Sequence, residues 1–215
     1  MLAFRTDADV AAASAQVSAH LANDGLLAYP TETVYGLGSA PTPCGLDRLA
    51  LLKGRAPDKP FLLLVSGTAM LEAWGLVLGR HGRALAREFW PGPLTLVLRG
   101  GEGKLPDRLR GLEGGIAVRW TSHAGMSKLI ALTGHPLTST SANRPGGPAA
   151  PGPERISELF PEAVASGDLL ILDGGALGNV PPSTLVDCTG PIPRLIREGA
   201  IPLHELRRRA GSMAP

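Results

Sequence analysis

The sequence predicts an α/β protein in which one domain holds a mixed parallel and antiparallel sheet flanked by helices. Short apolar runs bounded by glycine and proline recur along the chain, and such runs are typical of buried strands. Helical patterns alternate with these runs in the first half, whereas strands follow one another more closely in the second half. With 215 residues, 44% of them hydrophobic and 19% charged, the chain is long and apolar enough to bury one sizeable core.

The first two predicted elements are a helix and a buried strand. Thr6 or Asp7 caps the helix, which ends near Asp24 and carries apolar side chains along one face. The strand covers residues 26–28 and ends at Pro30, because proline cannot donate to a sheet ladder.

The loop over residues 29–38, YPTETVYGLG, follows this strand. Thr31 and Thr33 place hydroxyl groups on either side of the Glu32 carboxylate, and two glycines allow close approach of the backbone. Open α/β sheets present ligand-binding residues at such strand ends. We therefore predict part of a binding site here, with a solvated turn as the alternative.

The later elements are predicted from capping residues and apolar periodicity. Helices are predicted over residues 42–54, 68–74, 79–89, 122–134 and 154–160, with Ser122 as the cap of the fourth. Strands are predicted over residues 61–65, 94–98, 116–120, 136–140, 169–172, 184–186 and 194–196. Two glycine-rich loops cover residues 100–115 and 143–153, and the second is either mobile until ligands order it or rigid and stiffened by proline.

Composition and motifs exclude several classes of protein. The formal net charge is only +2, so no strong overall field demands a polyanionic partner. Cys44 and Cys188 form neither a disulfide framework nor a zinc motif. No P-loop, GxGxxG after a strand, GxSxG or HExxH occurs. The first residues do not resemble a signal peptide, and no apolar run approaches about 18 residues, so we expect a cytoplasmic protein without a membrane span.

Cations cluster where the helix over residues 42–54 ends. Lys53, Arg55 and Lys59 lie within seven residues and are interrupted by glycine and proline. Such a group would form an anion clamp. Because cations near a helix C-terminus also offset the helix dipole, an ordinary helix end is the alternative.

Polar side chains also follow several predicted strands. Ser139, Ser141 and Asn143 would either bond the oxygens of a phosphate or carboxylate or close a turn. Three further residues, Arg119, Ser183 and Arg197, lie at strand ends. A surface ion pair or a turn explains each of these residues by itself, whereas their occurrence together favours a binding site.

Eight stretches occur in a fixed order along the chain. They are PTETVYGLG, the KxR of Lys53 and Arg55, KPFLLLV, PGPLTLVL, AVR, the SxN of Ser141 and Asn143, STLVD, and IREGAI. Together they resemble the YrdC-like L-threonylcarbamoyladenylate synthases over about residues 10–200, in a short, single-domain form. The resemblance implies a strongly twisted mixed sheet around a concave basic cavity, with a domain over residues 1–200 and a short Arg-rich helix or tail over residues 201–215.

The resemblance also implies a reaction. L-threonine, bicarbonate and ATP give threonylcarbamoyl-AMP and pyrophosphate, and a downstream threonylcarbamoyl-transferase complex modifies an adenosine of tRNA to t6A. Mg²⁺ would arrive with ATP, held mainly by phosphates and water. A tRNA or double-stranded RNA contact is a further implied partner, for which Arg207–Arg209 are candidates unless this tail frays.

The resemblance assigns site residues by position. The implied catalytic residues are Lys53, Arg55, Ser141 and Asn143. The implied ATP-binding residues are Arg55, Lys59, Gly115, Ser141 and Arg197. The implied threonine-binding residues are Thr31, Arg119, Ser139 and Ser183. Two positions depart from the family pattern, because Leu64 lies near a frequent histidine and Trp120-Thr121 replaces a small apolar residue and proline.

Two alternatives share this fold. One is a non-catalytic module that binds double-stranded RNA or tRNA through its basic face, although 4% aromatic residues argue against base stacking as the main mode. The other is the carbamoyl-transfer domain of hydrogenase maturation proteins, whose attached modules carry zinc-binding cysteines that two isolated cysteines cannot supply.

Overall fold

The computed structural model describes residues 1–56, 59–111, 113–178 and 180–210. The helices in these ranges are α1 (Asp7–Ala22), α2 (Pro43–Lys53), α3 (Thr68–Ala73), α4 (Arg80–Phe89), α5 (Ala124–Thr133), α6 (Pro153–Leu159), α7 (Pro161–Ala165) and α8 (Leu203–Ala210). The strands are β1 (Leu2–Ala3), β2 (Leu26–Tyr29), β3 (Gly36–Gly38), β4 (Leu62–Val65), β5 (Leu76–Val77), β6 (Leu94–Gly100), β7 (Ile116–Trp120), β8 (Leu137–Ser141), β9 (Leu169–Asp173), β10 (Thr184–Asp187) and β11 (Arg194–Arg197). None of the helices in these ranges has the length and apolar character needed to cross a bilayer.

The described strands form one sheet in the order β1-β9-β2-β3-β8-β4-β7-β6-β10-β11, and β5 pairs with β6 at one side. Four neighbouring pairs are parallel: β1–β9, β2–β9, β4–β7 and β6–β10. The remaining pairs are antiparallel. The predicted α/β class with a mixed sheet flanked by helices is confirmed.

Several helix ends follow their predicted chemistry, and one does not. Thr6 caps α1 by accepting from Asp9 N, and Asp9 bonds back to the Thr6 amide in a capping box. Thr42 caps α2, which ends at Gly54 in a left-handed conformation. The prediction that Ser122 caps α5 is wrong: His123 is the cap, because its Nδ1 accepts a 3.2 Å hydrogen bond from Met126 N.

The sequence analysis missed five short elements: the strands β1, β3 and β5, the helix α7, and a 3-10 helix over Asp107–Leu109. β3 consists of Gly-Leu-Gly and lies between β2 and β8, so part of the predicted loop is a central strand. A Cβ at Gly38 would lie 2.0 Å from the carbonyl oxygen of Thr138. Glycine is therefore required here to let two backbones approach, a role that gives no apolar alternation in the sequence.

Two apolar clusters cover the two faces of the sheet. The smaller cluster joins α1 and α5 to one face, through residues such as Val17, Leu27 and Met126. The larger cluster joins the other helices to the opposite face. α8 belongs to it, because Leu206 is fully buried there, and residues 211–215 of the predicted Arg-rich tail lie outside the described residues.

α1 and α5 cover only part of their face, and the uncovered part is a concave surface over β6, β7 and β10. The side chains that alternate toward it are Thr95 and Val97 of β6, Ala117 and Arg119 of β7, and Leu185 and Asp187 of β10. Their neighbours Leu96, Val118 and Val186 point into the larger cluster. The sheet thus supplies an ordered floor for polar residues at strand ends.

Candidate functional site

A cavity of about 1230 Å³ opens over this concave surface. Ten of the eleven predicted site residues line it: Thr31, Arg55, Lys59, Gly115, Arg119, Ser139, Ser141, Asn143, Ser183 and Arg197. Residues separated by more than 160 positions in the chain therefore meet at one place. Lys53 is the predicted residue that does not line the cavity.

The charges that line the cavity are mostly positive. The cations are Arg55, Lys59, Arg119, Arg194 and Arg197, and the carboxylates are Glu113 and Asp187. Both carboxylates pair with Arg194, at 2.8 Å and 3.4 Å respectively. Arg119 pairs with Glu32, so Arg55, Lys59 and Arg197 leave a net positive charge around the cavity, which suits an anionic ligand.

Lys53 supports the cavity wall from behind. Its side chain is 6% exposed, and its Nζ donates to Ser141 O at 2.7 Å, to Asn143 O at 2.6 Å and to Asn143 Oδ1. An ammonium group has three donors, so all three hold the Ser141–Asn143 segment in place. Burial, and next the neighbouring charge of Arg55, lower the pKa of Lys53 to about 8.

Arg55 is fixed at the rim of the cavity by the segment that follows it. Its guanidinium donates to Lys59 O at 2.8 Å, Pro60 O at 2.7 Å and Thr140 Oγ1 at 3.3 Å, and it lies 4.7 Å from the centre of the Phe61 ring. These bonds use three of its five N–H donors. Burial lowers the pKa of Arg55, yet a guanidinium stays charged, so the remaining donors present a fixed cation to the cavity.

Arg119 is held by residues of the loop after β2. Its Nη2 lies 2.8 Å from Glu32 Oε1 and donates to Thr33 Oγ1 at 3.1 Å, while Thr121 Oγ1 donates to the other oxygen of Glu32. Burial favours the protonated form of Glu32, but the charge of Arg119 and these hydrogen bonds lower its pKa below the ordinary value. The pair is therefore ionised, and Arg119 is 5% exposed.

One donor of this buried arginine has no hydrogen-bond partner among the described residues. It is Arg119 Nε. A buried N–H without an acceptor is costly unless something else supplies one. Because Arg119 lines the cavity, its charge would attract an anionic ligand there.

The predicted hydroxyl groups differ in how far they are already bonded. Thr31 Oγ1 donates to Val34 O at 2.7 Å and accepts from the amides of Thr33 and Val34, so it mainly shapes its own loop. Ser183 Oγ lies 2.8 Å from Thr95 Oγ1. One hydroxyl donates to the other, which leaves this pair one free O–H donor and free lone pairs.

Arg197 is tied to the segment before β10. Its Nη2 donates to Ser183 O at 2.8 Å, and Thr184 Oγ1 accepts from the amides of Gly199 and Ile201. Burial, and next the charge of Arg119, lower the pKa of Arg197. The STLVD and IREGAI stretches are thus joined at one corner of the cavity.

The loop over residues 143–153 forms another wall. Ala150 is buried and its amide donates to Ala142 O at 2.7 Å, while Gly147 N donates to Arg144 O at 3.0 Å. Arg144 points away from the cavity, because its Nη2 donates to Leu159 O at 2.6 Å and its guanidinium covers the Phe160 ring. These contacts fit the rigid alternative, and its mobility stays a prediction.

Several cavity residues were not among the predicted set: Thr33, Thr95, Asp187 and Arg194. Asp187 ends the STLVD stretch, so its position at a strand end was the available signal. Leu64, the position near which relatives often carry histidine, is fully buried in the smaller cluster and does not line the cavity.

The chain is similar to known proteins over most of its length. The family described as Sua5/YciO/YrdC, telomere recombination, matches residues 19–199. The threonylcarbamoyl-AMP synthase of Pyrococcus abyssi is 35% identical over 189 residues, which cover 87% of this chain and 54% of the relative. The threonylcarbamoyl-AMP synthase of Chromohalobacter salexigens is 40% identical over 174 residues, which cover 80% of this chain and 91% of the relative.

A solved structure gives the same fold. The crystal structure of P. abyssi Sua5 complexed with L-threonine superposes with a TM-score of 0.86 at 31% identity, covering 99% of this chain and 61% of that one. The chain thus spans little more than half the length of its P. abyssi relative but nearly the whole length of the C. salexigens relative.

Proposed function

The chain belongs to the Sua5/YciO/YrdC family, and we propose that it is an L-threonylcarbamoyladenylate synthase, a nucleotidyltransferase that uses L-threonine, bicarbonate and ATP. The observation that carries this proposal is the convergence of ten predicted site residues on one mainly cationic cavity. The names of the relatives favour this enzyme over a non-catalytic RNA-binding module.

The proposed reaction joins two anions. The amine nitrogen of threonine forms a bond to the carbon of bicarbonate, and water leaves, which gives an N-carboxylate. An oxygen of this N-carboxylate then forms a bond to the α-phosphorus of ATP while the bond from that phosphorus to the α,β-bridging oxygen breaks. Pyrophosphate leaves, and threonylcarbamoyl-AMP remains. Catalysis then depends on positioning and on stabilising negative charge rather than on a covalent nucleophile.

We assign the residues that line the cavity to the two substrates. Arg55, Lys59, Ser141 and Asn143 lie on the side of the α2 end and the β8 end, and we assign them, with Gly115 and Arg197, to ATP. Arg119, whose guanidinium lines the cavity, suits the carboxylate of threonine. The hydroxyl groups of Thr31, Ser139 and Ser183 complete the proposed threonine pocket.

Mg²⁺ belongs to this proposal as a companion of ATP. The carboxylates that line the cavity, Glu113 and Asp187, already pair with Arg194. Asp187 also accepts from Thr189 N at 2.8 Å and from Thr189 Oγ1 at 2.7 Å. This donor set fits an ion held chiefly by phosphate oxygens and water, which would neutralise phosphate charge.

The chemistry of the product indicates the downstream partner and the final substrate. A mixed anhydride with AMP must pass its threonylcarbamoyl group to an acceptor, so we propose a downstream threonylcarbamoyl-transferase complex as partner and tRNA as the final substrate, giving t6A. We place the reaction in the cytoplasm, where ATP, threonine and tRNA occur together.

Substrate selectivity tests the proposal. Pyrophosphate release from ATP and bicarbonate should be much faster with threonine than with valine, its near-isostere, and serine should exceed valine. A pocket built to bond a substrate hydroxyl leaves its own polar groups unpaired when that hydroxyl is missing. Equal rates with valine and threonine would contradict the pocket as assigned.

Glu32 should act as a positioning residue for threonine binding. Changing Glu32→Gln removes the charge that holds Arg119 but keeps an acceptor for Thr121, so we expect the KM for threonine to rise about tenfold with little change in the KM for ATP. The matched control is Glu113→Gln, which makes the same chemical change at an exposed carboxylate of the cavity. An unchanged KM for threonine in Glu32→Gln would refute the role.

A further inference from the structure

A second basic groove lies on the opposite side of the sheet from the cavity. Its volume is about 520 Å³, and its lining residues are Thr68, Leu78, Arg80, Arg83, Ala84, Ala86, Arg87, Trp90 and Trp120. It shares none of these residues with the cavity. β7 links the two, because Arg119 faces the cavity and the next residue, Trp120, faces the groove.

The arginines of this groove are unusual within the chain. Among the described residues, Arg80 and Arg83 make no ion pair and no side-chain hydrogen bond, and Arg87 has one 3.5 Å contact with Glu88. Every other described arginine except Arg207 donates to a carboxylate, a carbonyl or a hydroxyl group of the protein. Arg207 lies on α8, which packs against α4.

The location of these cations does not favour folding. Arg80 and Arg83 lie in the first turn of α4, which contains no acidic residue, and the positive end of the helix dipole repels cations there. Among the described residues, those that line the groove include no carboxylate. All three arginines are exposed, so an external anion can reach them.

The spacing indicates the shape of that anion. Arg80, Arg83 and Arg87 follow one face of α4 and are spread over about 10 Å of its axis. A single phosphate would need converging donors, whereas a row of guanidinium groups matches successive phosphates of an extended strand. Trp120 is half-buried and contributes an indole to the groove, and a base can stack on such a ring.

We propose that the groove formed by Arg80, Arg83, Arg87 and Trp120 binds a single-stranded segment of RNA. The choice of RNA over an acidic protein rests on the combination of guanidinium and indole groups, and on the proposed function, whose product is consumed on RNA. RNA would then be held on the face of the sheet opposite the cavity.

Fluorescence anisotropy of a labelled RNA hairpin with a single-stranded loop tests the proposal. The double variant Arg80→Ala/Arg83→Ala should bind at least about tenfold more weakly. The slope of log K against log salt should become less steep by about 1.4, since each phosphate contact on a single strand contributes about 0.7. The matched control is Lys128→Ala/Arg155→Ala, which removes two exposed charges from α5 and α6 and should bind RNA like the unaltered protein.

Three outcomes would overturn the proposal. They are unchanged RNA affinity in the groove variant, an equal loss in the control, and competition by polyglutamate as strong as that by unlabelled RNA, which would indicate an acidic protein partner. Pyrophosphate release from ATP, threonine and bicarbonate should be the same in the groove variant and the unaltered protein. RNA binding is measured without these substrates. The binding result can therefore be interpreted even if the proposed enzyme activity is not found.

Discussion

Replacing Arg55 with alanine should lower the rate of pyrophosphate release by about 10²–10³-fold, the usual cost of losing a preorganised charged donor. The guanidinium is held over the cavity by Lys59 O, Pro60 O, Thr140 Oγ1 and the Phe61 ring. It therefore does not need to reorganise as charge develops on the phosphates. The side chain is half-buried at a helix end, so its truncation should leave the core intact.

The matched control for this variant is Arg99→Ala. Arg99 also donates to a backbone carbonyl, Thr189 O at 2.8 Å, but it does not line the cavity. We expect similar melting temperatures for both variants and a large loss of rate only for Arg55→Ala. Near-normal turnover of Arg55→Ala would contradict the assignment of the phosphate side of the cavity.

Replacing Lys53 with methionine should lower the rate by about 10²-fold, although Lys53 does not line the cavity. Its three donors fix Ser141 O, Asn143 O and Asn143 Oδ1, so the variant releases the segment that presents Ser141 and Asn143. The exposed Lys128→Met is the control. A rate for Lys53→Met equal to that of the control would show that the segment needs no such support.

The pH dependence of the rate and of stability gives a second test of the role of Lys53. The pKa of Lys53 is lowered to about 8 from 10.5, so the unfolded chain binds more protons than the folded protein between these values, and this group makes stability rise with pH there. Activity should fall in the same range, because a neutral amine has two donors for three acceptors. From about pH 7 to about pH 10, the melting temperature of the unaltered protein relative to that of Lys53→Met should therefore rise, while its rate relative to that of the variant should fall.

Local rules predicted most of the longer elements. The Thr6 and Thr42 caps and the Gly54 stop depend on neighbours in the sequence, and they are found where the pattern placed them. β3 could not be predicted, since Gly-Leu-Gly becomes a strand only through pairing with β2 and β8. His123 was missed as a cap because the imidazole competes with Ser122 only in the folded geometry.

The sequence predicted which residues line the cavity better than it predicted the contacts that they make. Polar residues at strand ends, together with the ordered stretches, named ten residues that meet in one cavity. Whether a cation faces a ligand or the protein depends on tertiary contacts, however. Neither the Lys53 contacts with Asn143, 90 positions away, nor the pairing of Arg119 with Glu32 has a signal in local sequence.

The most direct test of the proposed function is the identity of the product. The protein should be incubated with ATP, Mg²⁺, L-threonine and ¹³C-bicarbonate. The nucleotides should then be separated and their masses measured by mass spectrometry. We predict a threonylcarbamoyl-AMP species that carries the ¹³C label, forms together with pyrophosphate, and disappears when threonine or bicarbonate is omitted. A labelled adenylate that forms without threonine, or AMP and pyrophosphate produced with no threonine-containing adenylate, would contradict the account.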